Sequence, residues 1–212
     1  MTEILSFALL SFTSLFTLIN PLGTMPVFMS MTASLTDTQR TMTARKASII
    51  SFVTILVFAF TGQLLFQFFG ISANSFRVVG GIIFFFMGMD MLQARLGQVK
   101  IKEEEVKSYV TDISITPLAI PMICGPGAIT NAIVLMEDAD TFQKKVILII
   151  AILLIMFLTY IILYSSSRLI KLLGQTGINV MMRIMGLIVM VIAVEFFFSG
   201  LKPIISDILK NH

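Results

Sequence analysis

Asn20-Pro21-Leu22-Gly23-Thr24-Met25-Pro26, with a later counterpart from Pro117 to Asn131 (PLAIPMICGPGAITN), decides how this chain is read. Five of the six prolines lie in these two stretches, and both stretches sit inside long apolar runs. No charged side chain occurs between Glu3 and Asp37, or between Asp112 and Glu137. Proline has no N–H for the carbonyl four residues earlier, so Pro21 and Pro126 release the carbonyls of Thr17 and Met122. Gly23, Gly125 and Gly127 let the backbone leave helical angles. Irregular backbone at membrane depth is tolerated only where protein buries it or a polar cavity adjoins it. The two stretches are therefore read as the working site.

The totals require a membrane. A chain of 212 residues that is 57% hydrophobic and only 13% charged, with a mean hydropathy of +0.96, is too apolar for a water-soluble domain. Its uninterrupted apolar runs reach the ~20 residues that cross a bilayer core. The net charge of +3 reports membrane topology rather than a nucleic-acid partner. Cys124 has no second cysteine to pair with and reads as a small buried hydrophobe. The one histidine, His212, ends the chain, so histidine acid–base chemistry and a metal site have no framework. Glu3 without a positive n-region argues that the first apolar run is retained as a span rather than cleaved.

Six apolar segments stand out, roughly 4–31, 47–69, 76–94, 113–135, 145–167 and 180–199. They lack period-2 alternation, so they are helices rather than barrel strands. Shifting the chain by about 105 residues lays Asn20-Pro21-Leu22-Gly23 on Gly125-Pro126-Gly127-Ala128, and Arg77-Val78-Val79-Gly80 on Arg183-Ile184-Met185-Gly186. Two anchors at one offset predict a duplication of three helices. The expected fold is an all-α integral membrane protein of six transmembrane helices arranged as two inverted three-helix repeats, with helices 1 and 4 discontinuous. Residues 1–212 form a single transmembrane domain: repeat 1 over about 1–95, a polar cytoplasmic loop over about 96–112, and repeat 2 over about 113–212. That loop carries Glu103-Glu104-Glu105 beside Lys100 and Lys102 and reads as solvated. Ten Lys and Arg fall on the face reached after helices 1, 3 and 5 and five on the other. The first face is then cytoplasmic, in a bacterial-type inner (plasma) membrane with both termini outside.

An interrupted helix offers a ligand released carbonyls at the end of one half and free amides at the start of the next. Asn20, Thr24, Thr130 and Asn131 add neutral hydrogen bonds. With no formal charge in either stretch, a zwitterion that meets both dipole ends suits the site better than an ion of one sign. The plainer reading is two proline kinks without a ligand. Four further charges lie in or near the spans: Arg77 and Asp90 in helix 3, Arg183 and Glu195 in helix 6. In inverted halves Arg77 is expected to pair with Glu195 and Arg183 with Asp90, with snorkelling to the headgroups or proton coupling as the other uses of these groups. Gly80, Gly81, Gly88 and Gly186 suit close helix approach. Phe84 to Phe86 and Phe196 to Phe198 read as lipid-facing or core packing.

At NPLGTMPVF (Asn20 to Phe28), PLAIPMICGPGAIT (Pro117 to Thr130) and FRVVGGIIFFFMG (Phe76 to Gly88), the chain resembles the MarC family of six-helix membrane proteins, also described as a neutral amino acid transporter family. With length and helix count, the resemblance covers essentially the whole chain. It implies a fold related to the lysine-exporter superfamily, inverted three-helix repeats, discontinuous helices 1 and 4, and small neutral amino acids such as glycine or alanine as substrate. Carried over by position, the substrate groups are Asn20, Gly23 and Thr24, then Gly125, Gly127, Thr130 and Asn131. Pro21, Pro26, Pro121 and Pro126 hold the interruptions open. The expected partners are the lipid bilayer and the amino acid. No cofactor is expected, and the coupling ion is H+ or Na+. The rival readings are a cation channel or ion transporter built on the same carbonyls, an intramembrane enzyme, for which no set of ionisable groups has recognisable spacing, and a non-transporting membrane assembly protein.

Overall fold

The computed structural model of the chain describes residues 2–93 and 112–210. The polar connection expected over 96–112 lies almost wholly outside them, as does His212. Among the described residues seven helical segments follow in order: α1 (Thr2–Ile19), α2 (Pro21–Met31), α3 (Asp37–Phe69), α4 (Ala73–Leu92), α5 (Ser114–Ile123), α6 (Pro126–Asp138) and α7 (Phe142–Lys210).

Local chemistry sets most of these boundaries. The Thr36 hydroxyl accepts from the Gln39 amide while the Gln39 side chain bonds back to the Thr36 amide, a capping box that starts α3 ten residues before its apolar run. Gly70, at φ 65, ends α3 in the left-handed conformation glycine adopts most easily. Ser72 caps α4 through the Ser75 amide, and Thr141 caps α7 through the Lys144 amide. The gap expected between 167 and 180 contracts to one residue. The chain stays helical from Phe142 to Lys210 except at Gly174, at φ 61 and ψ −178, which divides α7 into two limbs.

Segment α5 is wound differently. Thr116 (φ −128, ψ 123) and Ile120 (φ −127, ψ 120) are extended, and each precedes a proline, whose ring disfavours helical angles in the residue before it. The Cys124 amide reaches back five residues to the Ala119 carbonyl at 2.7 Å, a wide π-type turn. Between α5 and α6 the path bends by 58°. Five described stretches are long and apolar enough to cross a membrane, six if α5 and α6 together make one span.

Small residues decide what packs where. Ala44, Ala47, Ser48, Ser51, Ala59 and Gly62 form a buried stripe on α3, and α5 and α6 lie against it. The Cys124 thiol, buried as its apolar surroundings suggested, donates to the Ser51 carbonyl at 3.3 Å. A methyl added at Gly62 would sit 2.5 Å from Ile133 Cγ1. The closest backbone approach joins α4 to the second limb of α7. A Cβ at Gly81 would lie 2.7 Å from the Phe197 amide nitrogen and 2.8 Å from the Ala193 carbonyl; one at Gly186 would lie 2.7 Å from both the Leu92 amide nitrogen and the Gly88 carbonyl. Side chains there would force the helices apart, the small-residue logic of membrane helix pairs. Leu15, Phe28, Ile55, Met91, Leu118, Ile123 and Ile155 are buried between the helices, whereas Leu9, Phe60, Phe86, Phe157 and Phe198 are largely exposed on the outside. Such an apolar exterior suits the lipid that an integral membrane protein meets.

Candidate functional site

The site begins where α1 gives way to α2. Asn20 has φ 46 and ψ 63, and it is the only non-glycine residue with positive φ among the described residues. Asparagine enters this left-handed region more readily than other side-chain-bearing residues. Helical bonding continues around it: the Asn20 amide donates to the Phe16 carbonyl at 3.0 Å and its own carbonyl accepts from the Thr24 amide at 3.0 Å. The bonds between are lost. Pro21 has no N–H for the Thr17 carbonyl, and the Gly23 amide turns away from Ile19 to the Asn20 side-chain oxygen at 3.1 Å. The carbonyls of Thr17 and Ile19 are thus left without their helical donors. Gly23 leaves room for the Asn20 side chain: a Cβ there would sit 2.8 Å from Asn20 Cγ and closer still to its amide nitrogen, so that side chain would have to shift.

These groups face a narrow cavity of about 30 Å³, room for about two waters. Thr17, Leu18, Ile19, Asn20, Gly23 and Thr24 form one wall; Phe84, Met87 and Met91 from α4, Met122 from α5, and Val189 and Ile192 from the second limb of α7 form the rest. Among the described residues no charged side chain lines it. Three of the apolar lining residues are methionines, whose flexible side chains can repack around a guest.

The second proline–glycine stretch is placed differently. Only Met122 of it lines the cavity. Gly125 stands behind Phe84: a Cβ there would collide with the ring and lie 2.9 Å from the Pro121 carbonyl. A Cβ at Gly127 would lie 3.1 Å from Phe196 Cζ and 3.3 Å from Leu18 Cδ2, and the Pro126 ring abuts Gly80. The Thr130 hydroxyl is buried without a hydrogen-bond partner. Asn131 donates to the Ser14 hydroxyl of α1 at 2.9 Å, joining α6 to α1 rather than facing the cavity. Pro21 and Pro26 are buried within α2, while Pro121 lies in the wide turns of α5.

The model of the "MarC family integral membrane protein" matches residues 5–205. The chain is 41% identical over 202 residues to a UPF0056 membrane protein of Pyrococcus horikoshii, covering 95% of this chain and 98% of that one. It is 35% identical over 199 residues to one of Methanocaldococcus jannaschii, covering 93% and 97%. With the UPF0056 membrane protein YhcE of Escherichia coli it shares 36% identity over 201 residues, 94% of each chain. The chain belongs to the MarC family. No solved structure matches it.

Two features of this MarC chain depart from what its sequence suggested. The expected ion pairs do not form. The salt bridges Arg40–Asp37, Lys144–Glu3 and Lys144–Asp140 lie elsewhere. Arg77 instead reaches the Asn74 side chain at 3.4 Å, and Asp90, Arg183 and Glu195 are exposed. The reason is register: glycine contacts place Gly200 opposite Arg77, which leaves Glu195 more than one helical turn away. Gly186 lies opposite Gly88 and Leu92, so Arg183 stands three residues from the level of Asp90, and both side chains are exposed.

The other feature is Arg40, counted in the sequence only as a loop charge. Its guanidinium is buried and donates to the Thr32 carbonyl from Nε at 3.3 Å and from Nη2 at 2.9 Å. It also donates to the Leu35 carbonyl at 3.0 Å and to Asp37 at 3.0 Å. A cation thereby satisfies the carbonyls at the negative end of α2, the half-helix whose other end forms the cavity. The available signal was its position four residues after Thr36, on the inner face of the α3 start.

Proposed function

We propose that this MarC-family membrane protein is a secondary transporter of small neutral amino acids, glycine or alanine among them, working by alternating access between the interrupted helices of an inverted repeat. The observation that carries the reading is the uncharged cavity at Asn20. There the carbonyls at the end of α1, the amide-bearing start of α2 and two neutral polar side chains, Asn20 and Thr24, converge among apolar residues. The carboxylate of a zwitterion meets the positive end of α2, and its ammonium meets the released carbonyls and the Asn20 amide oxygen. A side chain much beyond a methyl meets Phe84 and the methionines, which favours small substrates.

Contacts repeated at one offset support the inverted repeat. Gly81 approaches Ala193 and Phe197, and Gly186 approaches Gly88 and Leu92; each residue of the second contact lies about 105 residues from one of the first. Such reciprocity is what a two-fold relation between halves produces. Thr36 and Thr141 cap α3 and α7 in the same way at the same offset, and Gly70 and Gly174 both take positive φ, with different ψ. On this reading α1 and α2 correspond to α5 and α6, and α3 and α4 to the two limbs of α7. Gly125, Gly127, Thr130 and Asn131 then come to substrate when the second half-helix takes its turn at the site. The cavity has room for about two waters but not for an amino acid, so α4 and the second limb must move away from α1 and α2 to admit one. H+ or Na+ supplies the coupling. The excess of basic residues puts both termini outside the inner membrane.

Uptake of labelled glycine and alanine into proteoliposomes tests the reading, under proton and sodium gradients and in exchange. Wild type is expected to take up both with saturation, and Gly23→Ala, which displaces the Asn20 side chain, to lose uptake while still folding. Absence of uptake under all three conditions would remove the amino acid assignment. Conductance that ignores amino acids would replace it with the cation reading.

A further inference from the structure

A second opening, which shares no lining residue with the Asn20 cavity, lies between α3 and the first limb of α7. It is a lateral groove of about 610 Å³ with Ile49, Phe52, Leu153 and Phe157 along its walls. Ile49, Leu153 and Phe157 are each about half exposed, so the groove opens sideways into the bilayer. Its polar groups gather at the end where α3 begins. Arg45 lines it there and is exposed, with no ion pair among the described residues. Ser48, one turn on, also lines the groove; it is 6% exposed, and its hydroxyl has no hydrogen-bond partner. The buried Ser48 hydroxyl costs free energy until a partner arrives, and the exposed Arg45 guanidinium, with no ion pair among the described residues, lines the same groove. Tyr160 brings a phenol to the same groove, and Arg168, exposed, follows two turns later on that face of α7.

We infer that this groove is a binding site for one anionic phospholipid. Its phosphate bonds Arg45 and the Ser48 hydroxyl, and one acyl chain lies along Ile49, Phe52, Leu153 and Phe157. The commitment to a lipid, rather than a soluble anion, follows from the sideways opening and the length of apolar wall beneath the cation. A basic pocket between membrane helices that continues into an apolar groove has the chemistry of a phosphate carrying a chain. The site stands apart from the transporter reading and does not depend on it.

Native mass spectrometry of the delipidated full chain in detergent tests it, with phosphatidylglycerol and phosphatidylcholine of identical acyl chains as probes. Wild type is expected to retain phosphatidylglycerol about fivefold better, the effect of roughly one basic residue at the headgroup level. Arg45→Gln, at an exposed position, should melt as wild type does without lipid and should lose the preference. Leu153→Trp, which fills the groove, should lower retention of phosphatidylglycerol with Arg45 intact. Glycerol 3-phosphate, the headgroup chemistry without chains, should not bind. Equal retention of the two lipids by wild type, a preference that survives Arg45→Gln, or glycerol 3-phosphate binding as well as the lipid would each overturn the assignment.

Discussion

The two proline–glycine stretches read alike as sequence, yet the protein uses them unequally. At the first, the helix is interrupted at one residue. Asn20 turns left-handed, accepts the Gly23 amide with its own side chain and leaves released carbonyls facing a cavity. At the second, two pre-proline residues extend the backbone over a whole wide-turned segment. Gly125, which starts the next half-helix, has no side-chain cap and is pressed behind Phe84. The first stretch supplies polar groups to the site, and the second supplies the wall behind it. A transporter with two equivalent half-sites, caught with one of them lining the cavity, would look like this. The contrast is therefore the feature to attack.

The far ends of the two half-helices differ as well, and there the largest effect is expected. The carbonyls after α2 are held by the buried Arg40 guanidinium. Arg40→Met keeps the stem but strands the Thr32 and Leu35 carbonyls. Bonds to a charged group are worth about 1.5–3 kcal/mol each, so a loss of about 2–4 kcal/mol is expected in reversible unfolding from detergent. A loss below about 1 kcal/mol would mean that water replaces the guanidinium and that α2 is not anchored there.

Next in size is Gly125→Ala. The added methyl meets the Phe84 ring and the Pro121 carbonyl, overpacking that costs about 1–3 kcal/mol. Phe84→Leu in the same chain should restore part of the melting temperature, because the ring is the more mobile of the two obstacles. No rescue would place the strain in the backbone of α5 instead. Asn20→Ala should follow at about 1–2 kcal/mol, from lost capping and a left-handed alanine. Asn20→Gly should cost less because glycine accepts the angle. Both should abolish amino acid uptake, which separates the site role of this side chain from its structural one.

A pair of threonines divides the stretches more finely. Thr24 lines the cavity and donates to the Asn20 carbonyl at 3.2 Å, whereas the Thr130 hydroxyl is buried and unpartnered. Thr130→Val removes an unsatisfied polar group at nearly constant shape and should change stability by less than about 1 kcal/mol, in the stabilising direction. Thr24→Val should raise the KM for glycine uptake. If Thr130→Val raises KM by as much, the two stretches are equivalent in turnover, and the asymmetry belongs to one conformation alone.

How much of this was legible follows from which interactions are local. Pro21 at the start of α2, the Thr36–Gln39 capping box and the pre-proline extension at Thr116 and Ile120 are each written within four residues of sequence. Membrane character and the all-helical fold follow from composition. Interactions between helices were harder. The α4–α7 glycine contacts were visible as small residues, but their register was not, and a shift of about one turn is enough to separate Arg77 from Glu195. Arg40 escaped for a related reason: a charge near a helix end satisfies a topology rule and a capping role equally well, and only the fold around Thr32 decides between them.

The smallest effect concerns the anchor after α6. There Lys144 bonds Glu3 at 2.7 Å and Asp140 at 3.0 Å and lies 6.0 Å above the Phe7 ring. It joins the start of α1 to the turn between α6 and α7. Both carboxylates are exposed, so the pairs are partly screened and each is weak. The hydrogen bond from Lys144 holds the Asp140 carboxyl below its ordinary value. A carboxyl depressed on folding adds stability that is present above its unfolded-state value and disappears as the pH falls through its folded-state value. The α6–α7 anchor should thus hold at neutral pH and weaken only in acid, below the ordinary carboxylate range. The Arg40 anchor should persist there, since the carbonyls it binds do not titrate. Carboxyl titration by NMR on selectively labelled protein in nanodiscs would show Asp140 titrating low in wild type and returning to the ordinary range in Lys144→Met. If Asp140 titrates at the same pH in both, Lys144 does not hold the turn in solution. The two half-helices would then differ further, with α2 pinned at its far end and α6 free to move.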